Sequence, residues 1–389
     1  LVMESVAEFR SAESVPAAGG TRHLLVGVVA VLLCLGVQMV LSASLTSRPG
    51  DRESVFLGRH LTWLLVSAIA AWLASRVSAT QLRSLTWPAF WLFFTMLIMV
   101  LIPGIGARIN GAQRWLRIAG FSLQPSELGR LILPMVAANQ ILKLQQQETP
   151  GISSIPRILL PLALVLPLVA VEPDLGATVF LALGYLLALF FGGWPFRCFF
   201  LCGTALLPCT GLLLLLKPYQ LRRISGFLET WQDIGSAPWQ VRQSLYALGA
   251  GGLQGTGVGG GWQKLSYLPE ANTDFVFAVI GEELGLLGTL TVCVLWIFVY
   301  LCGRRVLKSE AEDSFRWVLG TTLLSQLVLQ AMANIAVVTA MVPPKGVPHP
   351  FISYGGTNLL VSLVAIGLIL GPGSPAQSSA RLTVSQTDN

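Results

Sequence analysis

The sequence predicts an all-α polytopic integral membrane protein with about ten transmembrane helices. Three observations predict it. Of 389 residues, 53% are hydrophobic and only 11% charged, with a mean hydropathy of +0.69. An average soluble domain carries roughly 25% charge. The apolar residues form long unbroken runs, without the alternation of a membrane barrel. Polar connections are short, apart from residues 217–274, between the seventh and eighth runs. These features exclude a soluble secreted enzyme, a disordered scaffold and a cytosolic multidomain protein.

The elements follow in order. Residues 1–21 read as a polar tail of mixed charge with no cleavable signal pattern. Apolar runs near 24–44, 57–75, 85–103, 125–142, 158–172, 174–192, 198–216, 275–302, 317–342 and 351–371 are the expected spans. Within 217–274, Val241–Leu253 is expected to form a short amphipathic or re-entrant helix. A loop of this length in a compact chain is usually functional. The stretch 372–389 reads as a short Ser/Gln-rich tail. No repeat of 20–50 residues appears.

Charge and metal-binding residues exclude further classes. The formal net charge of +6 is small and scattered, so nucleic acid is not an expected partner. Six cysteines lie in apolar runs and read as small packing residues, and three histidines do not cluster. Lysine and arginine divide evenly between the two membrane sides, so charge alone does not orient the chain. One of the two sets sits in loops 104–124 and 217–274, which suggests an anionic ligand on that face.

Charged groups in apolar spans are costly and point to function by default. Glu127 and Arg130, three apart at the start of the fourth run, share a helix face. They read equally as an internal ion pair and as cavity lining. Glu172-Pro173-Asp174 between two runs reads as a tight turn, structural use being favoured. The glycine-rich stretch 251–261 would let backbone amides approach a ligand such as a phosphate. Lys264, Glu270 and Asp274 follow it, with Glu282 and Glu283 beyond. Asp274 at the start of a helix reads as a general base or divalent-metal ligand, or as an N-cap. The proline-rich stretch 343–356, containing Ser353, needs a cavity or protein around it at membrane depth, and Asn334 would face the same interior.

These blocks, in order, are highly specific. They are Ser42-Ala43-Ser44, 110–115 (NGAQRW), Gln124-Pro125-Ser126-Glu127, Pro173-Asp174-Leu175-Gly176, Gln243-Ser244, Leu268-Pro269-Glu270 with Thr273-Asp274-Phe275, Glu282-Glu283-Leu284-Gly285, and 350–356 (PFISYGG). Over Leu25–Gly371 the chain resembles the SEDS family (shape, elongation, division and sporulation) of cell-wall glycosyltransferases. Met39–Ser44, Arg223 with Phe227, and Tyr267–Ala271 resemble its division and sporulation members more than its elongation members. The family usually has lysine at Arg130, glutamine at Glu172, histidine at Asn272 and small polar residues around Pro344-Lys345.

The resemblance implies a transmembrane domain over 22–371, in the cytoplasmic (inner) membrane, with cytoplasmic tails at 1–21 and 372–389 and loop 217–274 outside. It implies polymerisation of lipid II into β-1,4 glycan strands, with Asp274 as base or ligand of a divalent cation (Mg or Mn). Arg114, Glu127, Arg130, Lys264, Glu270, Asn334 and Ser353 are the expected substrate-binding residues. A class B penicillin-binding protein and other division proteins are the expected partners. A lipid II flippase and a division scaffold remain the competing readings.

Overall fold

The computed structural model describes residues 18–44, 52–109, 112–118, 120–147, 151–172, 174–204, 237–265, 268–311 and 314–372, with 227, 229, 231 and 235 singly between. The tails, apart from Ala18–Thr21 and Pro372, lie outside the described residues, as does most of 205–236.

Ten α-helices are labelled here: α1 (Ala18–Ser44), α2 (Arg52–Ala74), α3 (Ala79–Leu101), α4 (Pro125–Gln147), α5 (Ile155–Val171), α6 (Leu175–Phe191), α7 (Trp239–Gly251), α8 (Val276–Leu307), α9 (Phe315–Val338) and α10 (Gly356–Leu370). Every expected run except the seventh coincides with one of them, while α7 lies in the long loop, two residues from its expected position. The seventh run is helical over 196–204 and otherwise outside the described residues. Six of the described helices are long and apolar enough to cross a membrane: α1, α2, α3, α5 with its preceding turn, α8 and α9. α6 and α10 are shorter apolar helices. The fourth run misses that criterion because it carries polar residues along its inward side.

The distribution of side chains is that of a protein solvated by lipid. Leu65, Leu92 and Leu287 are each more than 60% exposed, while Arg130, Gln326, Gln330, Asn334 and Asn358 are buried. In water this would invert the usual preference, whereas in a bilayer polar side chains belong inside.

Local sequence sets the helix ends. Ser78 and Gln81 form a reciprocal capping box at α3, and Ser314 Oγ accepts from Trp317 N at the start of α9. Asp174 caps α6 by accepting from Ala177 N at 2.9 Å. Between α3 and α4, in the segment 104–124 read as a loop, the chain makes a three-stranded antiparallel sheet: β1 (Gly106–Ile109), β2 (Ala112–Ile118) and β3 (Phe121–Leu123). Leu116 pairs with both Gly106 and Leu123. Gln113 Nε2 ties the sheet to the end of α3 by donating to Val100 O and Ile102 O.

α8 is broken at Gly285 (φ 65°, ψ −163°). The break removes the helical hydrogen bonds from Leu286 N to Glu282 O and from Leu287 N to Glu283 O. The glycine-rich segment replaces both sides. Leu286 N and Leu287 N donate to Gly252 O and Leu253 O, while Glu282 O and Glu283 O accept from Thr256 N and Gly257 N. Buried backbone groups need such partners, above all at membrane depth. The approach is close enough that a Cβ at Gly255 would lie 2.1 Å from Glu283 O.

Candidate active site

α4, α6, α9 and α10, the sheet and two irregular segments enclose a cavity of about 310 Å3. It lies where α4, α6 and α10 begin and α9 ends. Arg114, Glu127, Arg130, Asp174, Glu270 and Asp274 all line it, with Gln330, Tyr354 and Asn358. Five of the expected site residues are therefore brought together from segments far apart in sequence.

Asp274 is held through its backbone. Asn272 O accepts from Tyr354 N at 2.8 Å, Thr273 O from Ser353 Oγ, and Asp274 O from Asn334 Nδ2 at 2.7 Å. Three consecutive carbonyls thus have partners in the 334–354 region. Asn334 Nδ2 also donates to Val347 O at 2.7 Å, and Ser353 Oγ accepts from His349 N. Asn334 and Ser353, expected on the substrate, do not line the cavity; they position the two segments that do. His349 is buried against Phe277 and Trp296, and desolvation holds its imidazole down at about 4. The N-cap of α8 is Phe275, so Asp274 does not serve as its cap. Its carboxylate lies instead over Gly346, where a Cβ would come within 2.7 Å of Oδ2. Glu270, at φ 56°, turns the chain into this segment and its Oε2 accepts from Thr273 Oγ1 at 2.8 Å.

The cavity floor is an arginine network. Arg130 Nη1 bonds Glu127 Oε2 at 2.7 Å and Asn358 Oδ1 at 3.0 Å, and Nη2 donates to Gln330 Oε1. Gln330 Nε2 donates onward to Pro348 O and Asn358 Oδ1. The guanidinium fork is thus fixed in orientation, which a lysine ammonium would not achieve in the same way.

At the rim, Arg114 Nη1 pairs with Asp174 Oδ2 at 3.2 Å, and Arg114 Nε donates to Glu172 O. Gln124 Nε2 reaches the same Asp174 oxygen at 3.3 Å. The turn read as structural therefore also supplies a cavity carboxylate. Its place in a turn was legible, but its service as an N-cap and its pairing with a residue sixty positions earlier were not. Glu172 is buried, and neither carboxyl oxygen has a hydrogen-bond partner among the described residues. Desolvation, then repulsion from Asp174, pushes its carboxyl up to about 8, with Arg114 opposing. At neutral pH it is mostly the uncharged acid, close in shape and polarity to glutamine.

Lys264 is elsewhere. Its side chain is fully buried, paired with Glu283 Oε1 and donating to Ser42 Oγ at 2.6 Å. Ser42 in turn donates to Glu283, and Gly259 N donates to Glu283 Oε2 at 3.0 Å. Trp262 N and Gln263 N donate to Glu282 Oε1. Within the glycine-rich stretch expected to meet a phosphate, Gly259 N meets the protein's own carboxylate and Thr256 N and Gly257 N meet backbone carbonyls, and Lys264 neutralises Glu283 rather than a ligand in the cavity.

With this geometry in hand, the chain can be compared with known proteins. The family model FTSW_RODA_SPOVE, described as cell cycle protein, matches residues 22–371. The chain belongs to the FtsW/RodA/SpoVE family. It is 37% identical over 347 residues to a protein of Trichlorobacter lovleyi named "Probable peptidoglycan glycosyltransferase FtsW", covering 88% of this chain and 90% of that one. The same name is carried by a Coxiella burnetii protein, 38% identical over 350 residues, covering 87% and 92%. Among solved structures, it matches a chain described under "Structural coordination of polymerization and crosslinking by a peptidoglycan synthase complex". The TM-score is 0.70 at 25% identity, covering 89% of this chain and 95% of that one. Thermus thermophilus rod shape determining protein RodA shares the fold, with a TM-score of 0.64 at 24% identity and coverage of 89% and 94%. The protein is thus a polytopic membrane member of the family.

Proposed function

We propose that the chain is a peptidoglycan glycosyltransferase that polymerises lipid II into β-1,4 glycan strands during cell division. The observation that carries this reading is the anchoring of Asp274, whose flanking carbonyls are tied to the opposite wall of a cavity lined with both signs of charge. A transport path would need groups that release their cargo and let it pass; a carboxylate carried on an anchored backbone suits bond formation.

The reaction joins O4 of an acceptor sugar to C1 of a donor sugar linked through an α-pyrophosphate. The C1–O bond to pyrophosphate breaks as the O4–C1 bond forms, so the anomeric centre inverts. Asp274 takes the proton of the acceptor hydroxyl. Arg114 offers its guanidinium to the departing pyrophosphate at the rim, and Arg130 with Glu127 shapes the floor. Glu270 lies on the same segment as Asp274 and lines the sugar-binding side.

A divalent cation, Mg or Mn, fits the donor set in one form. No group of three His, Cys, Asp or Glu residues capable of holding a metal occurs among the described residues. Asp274 and Glu270 nevertheless present hard carboxylate oxygens to the cavity, which suits a cation that takes its remaining ligands from phosphates and water. Such a cation would stabilise negative charge on the leaving pyrophosphate.

In this reading ten spans place loop 217–274 and the cavity on the extracytoplasmic side of the inner membrane, with both termini cytoplasmic. The partner is a class B penicillin-binding protein that supplies cross-linking within the division machinery. The likeness to a chain of a peptidoglycan synthase complex supports that partnership.

Purified chain is reconstituted with lipid II, with and without divalent cation and a cognate transpeptidase, and polymer is resolved by gel. Wild type is expected to make glycan strands and Asp274→Ala none, with equal thermal transitions. Strands from both would remove Asp274 from the chemistry. Strands from neither, with every component present, would turn the reading to a flippase or scaffold.

A further inference from the structure

A second cavity, of about 390 Å3, lies between α3, α4 and α5 toward the other end of the bundle. Lys143, at its mouth, follows Arg130 by thirteen residues on α4, a rise of about 20 Å. Three features distinguish it from a packing defect. Lys143 and Arg157 both stand exposed at its edge, and among the described residues neither is in an ion pair. Asn139 lines its inner wall, is 2% exposed, and its Oδ1 has no hydrogen-bond partner. Along the outward side, Trp91 and Leu160 are more than half exposed, which makes a continuous apolar wall facing lipid.

The neighbouring Gln140 is already satisfied, accepting from Tyr185 Oη at 2.6 Å and donating to Arg157 O. Asn139 is therefore the buried polar group of this cavity that lacks a mate. A buried amide oxygen without a partner is costly and calls for a donor from water or a ligand. A molecule meeting all three features carries a negative charge at the membrane surface, a hydroxyl a few atoms away, and a hydrocarbon body.

We propose that this cavity is a binding site for an anionic phospholipid with a hydroxyl-bearing headgroup, of the phosphatidylglycerol type, from the leaflet opposite the active-site cavity. The phosphate sits between Lys143 and Arg157, a headgroup hydroxyl donates to Asn139 Oδ1, and the acyl chains lie along Trp91, Leu160 and Leu164. Basic pockets between transmembrane helices recognise headgroups by this combination of charge and apolar wall. The site is independent of the glycosyltransferase reading, since none of its residues lines the active-site cavity.

The test is native mass spectrometry of the full chain in detergent, titrated with phosphatidylglycerol, phosphatidic acid, phosphatidylcholine or a polyprenyl phosphate. The expected result is preferential retention of phosphatidylglycerol by wild type. Lys143→Gln/Arg157→Gln should lose about tenfold in apparent affinity. Asn139→Leu should lose the preference over phosphatidic acid while still binding both. Arg304→Gln/Arg305→Gln, which removes cations on the same face outside this cavity, should bind as wild type does. A matched thermal transition establishes that each variant is folded. Equal retention by the Lys143/Arg157 variant, equal binding of phosphatidylcholine, or stronger retention of the polyprenyl phosphate would each overturn the proposal.

Discussion

Two acidic clusters flank one stretch of chain, and their surroundings give them opposite roles. Glu282 and Glu283 lie at the break in α8, where Gly259 N, Ser42 and Lys264 meet the Glu283 oxygens and Trp262 N and Gln263 N meet Glu282 Oε1, and the side chains of Lys264 and Glu283 have no solvent exposure. Glu270 and Asp274, just before α8, open onto a cavity with Arg114, Asp174, Glu127 and Arg130. The first cluster is closed on itself, and its carboxylates tie the glycine-rich segment, Ser42 and Lys264 to the broken helix. The second has its backbone fixed and its residues lining the cavity. In a membrane protein the presence of charge does not separate structure from chemistry; what surrounds the charge does.

The comparison is broken most severely by Asp274→Ala. Removing a general base typically costs 10²–10⁴-fold, so strand synthesis should fall by about that factor, with the thermal transition within a degree or so of wild type. The closed cluster should answer in the reverse sense. Lys264→Met leaves Glu283 buried without its cation, a loss of roughly 3–5 kcal/mol that a thermal melt in detergent would read as a large drop. Lys264→Met/Glu283→Gln should recover much of it, because both charges are then gone. A double variant no more stable than the single would show that the pair does more than satisfy itself.

Gly346→Ala sharpens the comparison from the cavity side. A methyl group within 2.7 Å of Asp274 Oδ2 must displace the carboxylate. A shift of about 1 Å in a catalytic group can cost 10²-fold, so the turnover rate should fall by about that much while lipid II binding holds. Unchanged turnover would mean the carboxylate has freedom the anchored backbone does not suggest.

The effect confined to one range of pH is expected at Glu172, between the two regimes: buried like the closed cluster, but at the rim of the open one. Its folded carboxyl titrates at about 8, above its usual value near 4.5. The folded state therefore holds a proton that the unfolded state gives up, and stability falls as pH rises from about 4.5 to 8. Glu172→Gln removes this dependence. Melting curves of wild type and variant should nearly coincide at pH 5 and separate at pH 8, with glutamine the more stable. Curves parallel at both values would contradict a neutral Glu172.

Much of this was legible beforehand. Helix positions followed from apolar runs, because a lipid-spanning helix must be long and continuously hydrophobic. Glu127 with Arg130 followed from helical spacing, and the candidacy of Asp274 from its place beside a helix start together with the family blocks. The three-stranded sheet at 106–123 was not legible. Its strands are of three to seven residues, and the contact that anchors them, Gln113 to Val100 O and Ile102 O at the end of α3, joins residues eleven and thirteen positions apart. Lys264 and Glu270 are six residues apart and similar in sequence setting, yet one is sealed against α1 and the other faces the cavity.

The sequence by itself therefore determined the solvent, the helices and the inventory of charged groups, because those depend on composition and on short periodicities. Only the tertiary structure decided which charges are sealed in a buried pair and which line the cavity. Desolvation and pairing depend on partners as distant as Ser42 with Glu283, 241 positions apart, or Arg130 with Asn358, 228 apart, and no local pattern carries that information.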